Sequence, residues 1–202
     1  MTTAMGLKSI DPKTNEPYVL LAADTRSSLI NEKKEIIKTT NVRKIHSNKD
    51  NPLHFTYTGN HIEPGKYTED LILQDSEIKL LLSKEINDSR VIYYLNKINH
   101  FKKDNKYAFV TNDLELKAFI DNKFYGNRSL VLFGSGSEKI EKEKVINLEK
   151  NLREGISPNK AILAAYQLIS NASKKDPGTG GKLNWLLKTK QGIAKNIGLP
   201  LC

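Results

Sequence analysis

Thr2 is the residue in this 202-residue chain best placed to do chemistry. With Met1 removed, one residue carries both a hydroxyl and a free α-amine, and an amine of pKa about 8 accepts the hydroxyl proton at neutral pH. A held ammonium beside that hydroxyl would favour its alkoxide-like state. Asp24 and Lys44, each at the end of a strand-like run, are a candidate ion pair. Asp24 closes the apolar run Tyr18–Ala23, where a lone carboxylate is costly to desolvate unless it meets a cation. At ~4 Å and an effective dielectric near 20, such a pair attracts by about 4 kcal/mol before desolvation is subtracted. Gly59 follows the strand-like Leu53–Thr58 and offers a backbone N–H with no side chain in the way. A structural ion pair and an ordinary turn glycine fit these three residues equally at this point.

Composition and periodicity define the scaffold around these groups. The length suits one domain, 1–202, with a substantial core, and 38% hydrophobic residues fit a globular chain. No run reaches the length of a membrane helix and the start lacks a secretory pattern, so the expected location is the cytoplasm without a membrane partner. The single cysteine, Cys202, excludes an internal disulfide. A net charge of +9 raises nucleic acid as a partner. The lysines are interleaved with acids, however, as in Glu138-Lys139-Ile140-Glu141-Lys142-Glu143-Lys144, which reads as a solvated face. No zinc-knuckle spacing or arginine tract supports nucleic-acid binding.

Strands are expected at Ala4–Lys8, Tyr18–Ala23, Asn41–His46, Leu53–Thr58, Tyr107–Asn112, Leu116–Asp121, Ser129–Phe133, Leu183–Thr189 and Ile193–Ile197. Tyr18–Ala23 is apolar without alternation, as in a strand covered on both faces. Helical spacing marks two segments between about residues 67 and 98. It marks two more, roughly Glu138–Glu154 and a helix opening at Ser157-Pro158 and stopped by Asp176-Pro177-Gly178. This order of strands and helix blocks predicts an α+β layered domain.

Taken in order, Thr2-Thr3, Leu21-Ala22-Ala23-Asp24-Thr25-Arg26-Ser27-Ser28, Asn41-Val42-Arg43-Lys44-Ile45, Thr58-Gly59, Phe133-Gly134-Ser135-Gly136-Ser137 and Asp176-Pro177-Gly178-Thr179-Gly180-Gly181 resemble the landmarks of a proteasome β subunit. The resemblance spans the chain and implies a four-layer αββα sandwich of the N-terminal nucleophile hydrolase type. It implies Thr2 as nucleophile, Lys44 against it, Asp24 fixing Lys44, and Gly59 N–H as the oxyanion donor. It also implies that Ser135, Asp176 and Thr179 hold the Thr2 amine, with Thr179 standing where a serine is the norm. Ser27, Ser28, Val42, His46, Tyr57 and His61 are the implied substrate-pocket or backbone-pairing positions. No cofactor or metal is required.

Two departures limit what carries over about specificity. Asp11–Pro17 is longer than the usual turn, and Ser27–Thr40 is expanded by Glu32-Lys33-Lys34-Glu35. The implied reaction is cleavage of peptides or unfolded proteins by a threonine peptidase. The implied assembly is a homo-oligomer, with a ring, α-type subunits or an ATPase as its possible context. Ligation through the same acyl-enzyme and a silent ring subunit are the alternatives.

Overall fold

A computed structural model of the protein describes residues 2–30, 35–47, 54–58, 106–111, 113–121, 123–126 and 128–201. Strands β1 (Ala4–Asp11), β2 (Glu16–Asp24), β10 (Leu130–Phe133), β11 (Lys182–Thr189) and β12 (Gly192–Pro200) form one antiparallel sheet in the order β10-β1-β2-β11-β12. A second sheet runs β5 (Ile45–Ser47), β6 (His54–Thr58), β7 (Lys106–Val110), β8 (Leu116–Ile120) and β9 (Lys123–Tyr125), each antiparallel to the next. Strands β3 (Arg26–Ile30) and β4 (Ile36–Asn41) make a separate hairpin.

The continuous apolar run in β2 has cover on each side. Tyr18, Leu20 and Ala22 join Met5, Leu7 and Leu183 against helices α1 (Lys142–Glu154) and α2 (Pro158–Lys175). Val19, Leu21 and Ala23, on the opposite face, meet Ala108, Val110, Leu116 and Ala118 of the second sheet. The two sheets approach closely enough that a Cβ on Gly6 would lie 2.5 Å from Leu116 Cδ1, so a larger residue there must displace the Leu116 side chain.

The expected four-layer αββα sandwich is overturned. The described residues are mostly antiparallel strand, and their two α-helices lie on one outer face, giving layers in the order helix, sheet, sheet. The expected helices between residues 67 and 98 lie outside the described residues. The segment read as expanded carries the β3–β4 hairpin, with Ser27 opposite Thr40. Two corrections are local. The expected strand over Asn41–His46 is broken at 42–44, because Val42 N turns to donate to Thr25 O at 2.8 Å and Lys44 turns inward. A 3-10 helix over Ser135–Lys139 precedes α1, which starts at Lys142 rather than Glu138.

On the outer face of the second sheet, Phe55, Tyr57, Tyr107 and Phe109 form a buried aromatic ladder with ring centroids 5.9–6.4 Å apart. Strand alternation puts His54, Thr56 and Thr58 on the inner face. That face leads to the candidate site.

Candidate active site

Thr2 and Thr3 enter β1 directly, and the ladder extends back to them: Asp24 N donates to Thr3 O at 3.1 Å. Asp24 ends β2 beside them and is fully buried. Its Oδ1 accepts from Thr3 N at 2.8 Å and Lys44 Nζ at 3.1 Å; its Oδ2 accepts from Gly180 N at 3.0 Å and Arg26 N at 3.1 Å. Four donors therefore hold one carboxylate. Lys44, 1% exposed, donates to Thr2 Oγ1 at 2.7 Å, to Asp24 and to the carbonyl of Arg26.

Those three acceptors match the three protons of an ammonium. Burial pushes Lys44 below the usual lysine range, opposed first by the Asp24 charge. Burial pushes Asp24 upward, opposed by Lys44 and by the N–H groups of Thr3 and Gly180. A neutral Lys44 would spend its two N–H groups on Asp24 and the Arg26 carbonyl, both acceptors only, and turn its lone pair toward the Thr2 hydroxyl. Both proton states thus favour a nucleophilic oxygen at Thr2.

The nitrogen side of Thr2 is built by two turns. Thr2 N lies 3.3 Å from Ser135 Oγ, in the 3-10 helix that follows β10. Ser135 Oγ donates to Asp176 Oδ2 at 2.8 Å, and Thr179 Oγ1 donates to the same oxygen at 2.8 Å. Asp176 follows the last turn of α2, where the negative end of the helix dipole opposes an anion. The two hydroxyls, with Gly178 N at 3.1 Å from Oδ1, compensate.

Six expected residues, Thr2, Asp24, Lys44, Ser135, Asp176 and Thr179, are brought together. Gly59 and His61 lie outside the described residues. Ser27 and Ser28 fall in β3, and Ser28 Oγ is buried with no hydrogen-bond partner among the described residues. Val42 is half-buried in the link between β4 and β5; His46 sits opposite Phe55 in β5. The Tyr57 ring belongs to the aromatic ladder, on the opposite face of β6 from Thr58.

No family model matches the chain, and no curated protein matches its sequence. The reading of the site therefore stands on its geometry. No helix among the described residues is long and apolar enough to cross a membrane.

Several groups escaped sequence reasoning. Arg26 donates to the carbonyls of Pro177 at 3.0 Å and Thr179 at 3.4 Å, clamping the turn that carries Asp176 and Thr179. A Cβ on Gly180 would lie 2.7 Å from the Arg26 Cζ, so the guanidinium rests on that glycine. Gly134, at φ 100°, passes against the Thr2 carbonyl, and Gly136 passes against the Thr3 and Thr179 hydroxyls. The available signal was two glycines flanking a serine, a close-approach pattern whose neighbour cannot be read from spacing.

Proposed function

We propose that the chain is an N-terminal threonine hydrolase of the proteasome β type, cleaving peptide bonds through an acyl-enzyme ester on Thr2. The observation that carries this reading is the placement of Lys44 Nζ 2.7 Å from Thr2 Oγ1 while Ser135 Oγ lies 3.3 Å from Thr2 N. One residue thus has a cation at its oxygen and an oriented acceptor at its nitrogen.

Once Met1 is removed, Thr2 Oγ attacks the peptide carbonyl carbon and its proton passes to the α-amine, directly or through water. Lys44 stabilises negative charge on the oxygen as the bond forms. The amine returns the proton to the departing peptide nitrogen as the C–N bond breaks. Water then attacks the ester, releasing the acid and restoring the Thr2 hydroxyl. Peptides or unfolded chains are the proposed substrates. The resemblance supports self-association of cytoplasmic copies around the site.

Intact mass before and after exposure to a β-lactone electrophile tests this directly. The expected result is a chain starting at Thr2 that gains one adduct, while Thr2→Ala keeps its fold, gains none and loses peptide turnover. Full turnover in Thr2→Ala would overturn the reading.

A further inference from the structure

The hydroxyl protons around Asp176 can be counted. A carboxylate only accepts, and Oδ2 takes the single proton of Ser135 Oγ and the single proton of Thr179 Oγ1. Thr179 Oγ1 also lies 2.8 Å from Thr3 Oγ1. With its own proton committed, Thr179 can only accept there, so the Thr3 hydroxyl is the donor. By the same count Ser135 Oγ can only accept from Thr2 N. The network has one polarity, with both branches running toward Asp176: Thr3 through Thr179, and Thr2 through Ser135.

Thr3 is fully buried, and its amide donates to Asp24 Oδ1 at 2.8 Å. Its hydroxyl fits only because Gly136 has no side chain. The two carboxylates of the site therefore meet in one residue that has no reacting atom.

We propose that Thr3 is a positioning residue that couples Thr2 to both carboxylates, to Asp24 through its amide and to Asp176 through its hydroxyl and Thr179. This rests on the threonine-hydrolase reading. Donation from Thr3 polarises the Thr179 hydroxyl and strengthens its bond to Asp176. Without it, Asp176 draws more on Ser135, whose oxygen then holds an N–H of the protonated Thr2 amine more firmly. The reactive neutral amine then requires a higher pH.

The test measures β-lactone labelling of Thr2 against pH, with peptide kcat and KM, in wild type, Thr3→Val and Thr3→Ser. Valine keeps the shape and the amide but removes the donor. The expected result for Thr3→Val is a labelling midpoint raised by about 0.3–0.5 pH units, and a rate at pH 7 lowered roughly two- to threefold with KM unchanged. Thr3→Ser restores the wild-type midpoint. A residue that only supports the fold would change melting temperature without moving the midpoint. If Thr3→Val does not fold, Thr179→Val removes the acceptor of the same bond and gives an upward shift at least as large. A wild-type midpoint in the folded valine variants, with Thr2→Ala still unlabelled, overturns the role of Thr3 and leaves Thr2 as nucleophile. Labelling that persists in Thr2→Ala overturns both.

Discussion

The inner face of β6 has buried polar groups at both ends, and the two ends are built differently. At one, Thr58 approaches the turn that holds Thr2: a Cβ on Gly134 would lie 3.2 Å from Thr58 Cγ2. There Asp24, Lys44, Ser135, Asp176 and Thr179 all find hydrogen-bond partners. At the other end His54 is 1% exposed, and neither of its ring nitrogens has a hydrogen-bond partner among the described residues. Burial, then the charges of Lys188 and Lys195, push the His54 pKa down to about 4. Desolvation acts at both ends, and the available partners determine its effect. Where backbone N–H groups and hydroxyls converge, a buried ion pair is held; where none do, the imidazole stays neutral.

Removing the anion from the organised end should have the largest effect. Asp24→Ala leaves Lys44 without its counterion and the N–H groups of Thr3 and Gly180 without an acceptor, while Arg26 N keeps the Gly180 carbonyl, and should cost about 3–5 kcal/mol in urea denaturation. An apolar replacement of both charges, Asp24→Leu with Lys44→Met, should recover only part of this loss. Those N–H groups remain unsatisfied, whereas an ion pair without backbone donors could be replaced at little cost. Full recovery would show that the backbone donors contribute nothing.

Gly136→Ala probes the same end more gently. Its methyl must displace the Thr3 and Thr179 hydroxyls, with an expected loss of about 1–3 kcal/mol and slower labelling of Thr2. Wild-type stability and labelling in this variant would mean that the turn yields without disturbing the hydroxyls.

At the other end of β6 the probe is pH. Between pH about 4 and 6.5 an unfolded His54 binds a proton that the native one does not, so stability rises with pH across that window. Acidification from 6.5 should lower the melting temperature, with the His54 share of the loss complete by about pH 4. His54→Leu should flatten that part of the profile. An unchanged slope would show that His54 does not carry it.

Much of this was legible in the residues. The non-alternating run in β2 announced a strand covered on both faces, and Ser157-Pro158 announced α2, because both signals are local. That Asp24 needs a cation was legible because it ends such a strand; that the cation is Lys44 was legible only from its place between Asn41-Val42 and Ile45 in the resemblance. The layering was not legible, since which outer face receives helices depends on packing between distant segments. The break at residues 42–44 was hidden for a related reason. Asn41–His46 has local strand character, but the Val42 bond to Thr25 and the burial of Lys44 are tertiary demands that override it. Thr3 and Arg26 were missed because their roles are set by residues more than 150 positions away.

The burial of Thr2 and Thr3 also imposes an order in time. They leave the ribosome well before the turns at 134–137 and 176–181 that enclose them. A peptidase acting in trans meets this segment as an extended, open chain only during that interval; after folding, Thr2 is 6% exposed and Thr3 is sealed. Removal of what precedes Thr2 by another enzyme would therefore have to come before those two turns close over it.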